Sequence, residues 1–278
     1  MRQKDWAQEF PHTLKHRRAT LHFKTQLPVQ ARLAIERLIE QRHVTKRVSA
    51  PLDYPQSSMF AKTEQLDSLK KKLRIELGNP KSNGMYDWAI EELINTIEAH
   101  GRGARVAGLV GFGYSRSSLG LLDHFFLITQ WLSNHVDGLS WIRANPQAVE
   151  QFIETTFELL SSLNAKGIAH MDLWAANIML PKEGQGVALA VDLENSFSIP
   201  TTFFSETLGF QMGHFYFHEI YRYITESNYD ALVERALADY PQVNRQLFYR
   251  VYQICKHHNI GRLERRDIFL KGVLKSRW

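Results

Sequence analysis

The stretch that decides the reading is Gly167-Ile168-Ala169-His170-Met171-Asp172-Leu173-Trp174-Ala175-Ala176-Asn177-Ile178-Met179-Leu180. A turn at Glu183-Gly184-Gln185-Gly186 follows, then Val187-Ala188-Leu189-Ala190-Val191-Asp192-Leu193-Glu194. Ahead of it lies the clearest helix of the chain, over 146–165. Asn145 is its expected N-cap, and Pro146 suits the first helical position, where a missing N–H costs nothing. Val149, Phe152, Ile153, Phe157, Leu160 and Leu163 recur at helical spacing as a core stripe, and Gly167 stops the helix. The order is therefore helix, loop with Asp and Asn, short strand, turn, strand, Asp. Val191 is expected in a strand buried on both sides, which would hold Asp192 still.

Phosphoryl transfer explains why these residue types belong together. An alcohol acceptor loses its proton as it attacks, so a carboxylate is needed at its hydroxyl, and Asp172 suits that place. Metal-bound phosphates need hard oxygen ligands, which Asn177 and Asp192 supply. A spacing of five from Asp172 to Asn177 lets the loop turn back on itself. A tight hairpin then returns Asp192 to the same place.

His170-x-Asp172-Leu173-x-x-x-Asn177 resembles the catalytic loop of the protein-kinase-like superfamily, and Asp192-Leu193-Glu194 is similar to its metal-binding D-F-G. The resemblance implies an α+β, bilobal kinase-like fold. A small β-rich lobe over 1–132 would hold the nucleotide, and a mainly helical lobe over 133–278 would hold the catalytic loop, metal and acceptor. It implies ATP and Mg²⁺ as cofactors, with Asn177 and Asp192 as metal ligands. It makes Lys62, after the strand-like Met59-Phe60-Ala61, the lysine that orients the phosphates. Its carboxylate partner is expected on the next helix, with Glu91 favoured and Glu92 and Asp87 as alternatives. Thr129 to Leu132, including Gln130, would hold adenine through backbone groups. His170 is expected to brace the loop.

Departures from the pattern narrow the class. Residues 42–58 contain no glycine, so no glycine-rich loop precedes Lys62. Trp174 stands where protein kinases often carry a lysine, Glu194 replaces the glycine of D-F-G, and no A-P-E follows. These features are similar to the small-molecule and lipopolysaccharide branches, and the spacing in the first half looks most like the bacterial lipopolysaccharide core kinases acting on Kdo or heptose. That resemblance implies an anionic glycolipid or sugar substrate and peripheral contact with the inner membrane face. Trp131, Trp141 and Trp174 are candidates for stacking on sugars, with core packing the commoner role for each. One rival is a kinase of the aminoglycoside or choline type, for which Glu206, Glu219, Glu226 and Asp230 would line an acidic cleft. The other is an inactive kinase-like binding module.

Working outward, Ala19–Phe23 and 58–62 read as strands, and 28–41 as a helix with Val29, Leu33, Ile35, Leu38 and Ile39 along one face. Residues 48–58 read as loop. The run Lys70, Lys71, Lys72 and Arg74 reads as a charged mobile stretch, closed by turns at Gly78-Asn79-Pro80 and Asn83-Gly84. Residues 86–100 read as a helix. Strands are expected over 105–114 and 125–131, with Gly108, Gly111 and Gly113 marking bulges or turns, because their spacing fits no phosphate loop.

The 278 residues, 44% of them hydrophobic, suffice for two real cores. The single cysteine, Cys255, excludes an intrachain disulfide and reads as a buried helical thiol. No secretory signal or membrane-span run is visible, so a cytoplasmic protein is expected. Net charge is +5 with a pI of about 9.2. The excess sits at the ends, with 11 Lys/Arg against 4 Asp/Glu in 1–47 and 9 against 2 in 245–278. Such ends favour anionic partners. No nucleic-acid motif accompanies them, and the histidines show no zinc-ligand spacing.

Overall fold

Phe125-Phe126-Leu127-Ile128 is apolar throughout because both of its faces are covered. Side chains alternate along a strand, so Phe126 and Ile128 enter one core while Phe125 and Leu127 enter another. This strand belongs to a six-stranded antiparallel sheet in the computed structural model, which describes residues 8–41, 47–82, 85–182 and 186–275. The strands are β1 (His12–His16), β2 (Ala19–Phe23), β3 (Arg47–Pro51), β4 (Met59–Gln65), β5 (Leu109–Arg116) and β6 (Leu122–Gln130), in the order β1-β2-β5-β6-β4-β3.

Helix α1 (Val29–Gln41) packs on the face that carries Leu21, Phe23, Met59, Ala61 and Phe126. Its buried stripe is Ala31, Ala34, Ile35, Leu38 and Ile39. Val29 and Leu33, expected on that face, are exposed, because the true stripe is rotated toward the two alanines. The opposite face meets Ala89, Leu93 and Ile97 of α3 (Trp88–Gly101). Between β4 and α3, the lysine-rich run forms a helix, α2 (Leu69–Glu76), rather than a mobile stretch. Ser68 caps it by accepting from the Lys71 N–H, and Lys71 is itself buried. Asn83-Gly84 lies outside the described residues.

One strand contradicts the sequence reading and another goes beyond it. Residues 47–51 pair with β4 and are not loop, and β1 precedes β2. Both are sheet edges, where half-exposed strands lack a continuous apolar run and Pro51 is tolerated. Gly111 does mark a register shift in β5. The further reason for glycine there is close approach to β2. A Cβ on Gly113 would stand 2.3 Å from the Thr20 carbonyl oxygen, and one on Gly111 2.6 Å from that of His22.

By contacts the chain divides into two compact units, Met1–Ile97 with Ala107–Ser133, and Glu98–Val106 with Asn134–Trp278. The second is mainly helical. It contains α4 (Gly138–Ala144), α5 (Val149–Ala165), α6 (Phe204–Phe217), α7 (Glu226–Ala236), α8 (Arg245–His257) and α9 (Arg262–Lys271). The stripe expected on α5 is buried throughout. The preceding Pro146–Ala148 is a 3₁₀ turn, and Asn145 bonds back to the Trp141 carbonyl instead of capping α5. Helix α6 is buried nearly all round. Gly209 and Gly213 let α8 approach it, since a Cβ there would meet the Phe248 and Tyr252 carbonyl oxygens at 2.4 and 2.7 Å.

Short strands carry the loops of this unit. β7 (His135–Asp137), β9 (Ile178–Pro181) and β10 (Leu189–Ala190) form one small sheet, while β8 (Ala169–His170) pairs with β11 (Ser196–Phe197). Of the turn expected before β10, residues 183–185 lie outside the described residues. Strand β10 ends at Ala190, so Val191 is a half-buried loop residue and not part of a doubly buried strand. Among the described residues no helix is long and apolar enough to cross a membrane. Cys255 is buried in α8.

Candidate active site

In the first unit, β4 turns Met59 and Ala61 toward α1, which leaves Lys62 on the α3 face. There Lys62 Nζ lies 2.6 Å from Glu92 Oε1, with the glutamate side chain 4% exposed. The sequence favoured Glu91 as the partner. Consecutive helical residues point about 100° apart, and it is Glu92 that faces the sheet at this level; Glu91 is buried one position earlier. Asp87 serves a different pair, accepting two hydrogen bonds from Arg74, at 3.1 and 2.9 Å. Gln130 ends β6 opposite Met59, and its N–H donates to Gly108. Leu132 is buried two residues on.

In the second unit, the loop after β8 is fixed by its own polar groups. The wholly buried His170 accepts from the Asp172 N–H at Nδ1, 3.3 Å, and its Nε2 donates to the Val191 carbonyl, 3.0 Å. One imidazole thus ties the start of the loop to the residue before Asp192. Asn177 Nδ2 donates to the Asp172 carbonyl at 2.8 Å, and the Asn177 carbonyl accepts from the Val191 N–H at 3.0 Å. The backbones at Asp172, Asn177 and Asp192 are therefore brought together by three short links. Asp192 is left-handed, with φ 64° and ψ 63°, which aspartate tolerates better than most residues. Such strain concentrates where function requires a fixed geometry. With Nδ2 of Asn177 bonded to the Asp172 carbonyl, Oδ1 lies on the other side of the amide. An amide oxygen and a carboxylate are the hard donors that suit Mg²⁺.

Three residues about Asp172 were not found from the sequence. Arg265 of α9 and His214 of α6 both donate to Asp172 Oδ1, His214 Nε2 at 3.2 Å. Asn195 Nδ2 approaches Oδ2 at 3.4 Å. Burial alone would raise the Asp172 carboxyl. The His214 hydrogen bond and the Arg265 charge outweigh it and hold the group well below the usual carboxylate range. Burial, reinforced by Arg265, also depresses His214. The pair is a carboxylate accepting from a neutral imidazole. Asp172 thus holds a proton weakly, and its geometry suits orienting a hydroxyl more than storing its proton. Of the missed residues, only His214 carries a sequence signal, a lone histidine in the largely apolar stretch Leu208–Phe217 of α6.

The four acids of the rival cationic-substrate reading have cations of their own. Glu206 faces Arg250 at 3.6 Å and Glu219 faces Arg143 at 3.3 Å. Glu226 and Asp230 lie 2.7 and 2.8 Å from Lys256. Trp131 stacks on Phe60, Trp141 leans on Phe152, and Trp174 lies 5.9 Å from the His218 ring.

An antiparallel sheet with its lysine–glutamate pair, followed by a mainly helical unit with the Asp-Asn loop, is the α+β organisation of a kinase-like fold. No protein-family model and no curated protein matches the sequence. Among solved structures the chain is similar to one titled "WaaP in complex with acyl carrier protein". The identity is 14%, over 71% of this chain and 86% of that one, with a TM-score of 0.41.

Proposed function

We propose that this chain is an ATP-dependent phosphotransferase acting on a hydroxyl, with a sugar of the lipopolysaccharide core as acceptor. The observation that carries the reading is the set of links joining the Asp172, Asn177 and Val191–Asp192 backbones, because it supports three chemically complementary groups acting as one site. Asp172 orients the attacking hydroxyl and accepts its hydrogen bond. Asn177 and Asp192 would hold Mg²⁺, which when bound neutralises charge on the phosphates. Lys62, held by Glu92, binds phosphate oxygens, and the backbone from Thr129 to Leu132, with Gln130, receives adenine. Residues 1–132 then supply the nucleotide site and 133–278 the catalytic and acceptor site.

The sugar acceptor is supported by Trp174, which follows Asp172 by two residues and offers an aromatic face. Contact with an anionic glycolipid surface belongs to the same reading. It is supported by the exposed apolar side chains of Leu263 and Leu270 on α9.

The test is thermal stability with and without Mg-ATP for wild type and Asp192→Asn, followed by transfer of labelled phosphate to Kdo- and heptose-containing acceptors. Wild type alone should be stabilised, by about 2.7 kcal/mol at a hundredfold excess over Kd, and should label the acceptor. Stabilisation without transfer to any acceptor would favour the binding-module reading. The absence of both would end the kinase reading.

A further inference from the structure

Within the second unit, the Asp172 carboxylate is held unevenly. Oδ1 takes both the Arg265 Nη1 and the His214 Nε2 donors, while among the described residues Oδ2 has only the long Asn195 contact. The two donors are themselves anchored. Arg265 donates from Nε to the Ile260 carbonyl at 2.8 Å and from Nη1 to the Met171 carbonyl at 3.3 Å. Phe210 underlies both groups: the guanidinium sits 5.9 Å from its ring centre, and the His214 ring stacks on it at 5.0 Å and 22°. Exposure follows the same division. The Arg265 and His214 side chains are 9% and 2% exposed, whereas that of Asp172 is 20% exposed.

We infer that Arg265 and His214 are positioning residues for Asp172, fixing the carboxylate through Oδ1 so that Oδ2 is presented to the acceptor hydroxyl. The inference rests on the phosphotransferase reading above. A salt bridge that merely tied α9 to the loop would need one donor and either oxygen. Two rigid donors on one oxygen leave the carboxylate a single orientation and leave the other oxygen to the site. Arginine suits this role because in its fork Nε holds the Ile260 carbonyl while Nη1, fixed in the same plane, donates to both the Met171 carbonyl and the carboxylate, and it stays charged at any working pH. Lysine would retain the charge and lose the fork.

The test compares wild type, Arg265→Gln, Arg265→Lys and His214→Gln for Mg-ATP affinity and for the kcat and KM of phosphate transfer. Arg265→Gln should bind Mg-ATP within about twofold of wild type, with KM for ATP unchanged and kcat lowered about 100-fold, the scale of a misplaced catalytic group. Arg265→Lys should recover about tenfold of that loss, and His214→Gln, which keeps a donor, should fall between the two. If Arg265→Gln does not fold, the lysine and His214→Gln variants carry the comparison. Variants whose kcat stays within threefold of wild type would overturn the inference and leave the kinase reading standing. So would a loss confined to Mg-ATP binding. A wild type that neither binds Mg-ATP nor transfers phosphate would overturn both.

Discussion

Asp172 is surrounded by donors, and that defines what its replacement should do. On the phosphotransferase reading, Asp172→Ala should abolish nearly all transfer while Mg-ATP still raises the melting temperature, because that reading puts the carboxylate at the acceptor and not at the nucleotide. Turnover above about one hundredth of wild type in that variant would remove Asp172 from the reaction. Lys62→Met leaves the buried Glu92 carboxylate without its 2.6 Å partner. It should destabilise the first unit by about 1–3 kcal/mol and weaken Mg-ATP binding together. Urea unfolding and nucleotide titration of the one variant check both parts. The clustering of Asp172, Asn177 and Asp192 is legible in the sequence because their spacing is local and chemically constrained. Glu92 is not separable from Glu91 without the helical phase. Arg265 is invisible in sequence, since its partner lies 93 residues away and a basic run ordinarily reads as solvated surface.

Among the elements, those with a continuous apolar pattern are legible: β6, α3 and α5. The edge strands β1 and β3 and the charged helix α2 are not, because each is completed by neighbours. Helix α2 is tied to the residue before α3 through the two Arg74–Asp87 hydrogen bonds. Burial would raise the Asp87 carboxyl, but Arg74 and Lys81 outweigh it and lower the group below its ordinary value. A depressed carboxylate contributes stability that is fully present above its unfolded value, near 4, and is lost as pH falls through the lower folded value. Asp87→Asn should therefore lower the urea midpoint by a constant amount between about pH 7 and 5, and the gap to wild type should narrow below about pH 4. A gap unchanged at acid pH would show that the charge is not what holds α2. On α6, Gly213→Ala places a methyl 2.7 Å from the Tyr252 carbonyl oxygen. Overpacking of this kind costs about 1–3 kcal/mol, read as a lower melting temperature. An unchanged value would mean that α8 gives way freely.

At the scale of the whole molecule, the two units have separate cores, one double-faced around the sheet and one among α5 to α8. The second holds Cys255, whose thiol is driven above its ordinary range by burial. In the native protein Cys255 should resist a thiol reagent and react only as the helical unit opens, so labelling with increasing urea should track the loss of that unit. Fast labelling without denaturant would contradict the packing around α8. The charge distribution also reads differently once folded. Much of the basic excess toward the end of the sequence meets acids of the same unit, as Arg262 meets Glu194 and Lys271 meets Asp267. Composition reports the excess, and only the fold reports how much of it faces outward.

The separation of 93 positions from Asp172 to Arg265 also sets an order of synthesis. At about 5–20 residues per second, a ribosome needs roughly 5–20 s to pass from one to the other. During that interval the emerging chain already carries Asp172, Asn177 and Asp192, yet nothing from α9 restrains the carboxylate. On the positioning role inferred for Arg265, a nascent chain holding only those three groups would transfer phosphate poorly until α9 has docked.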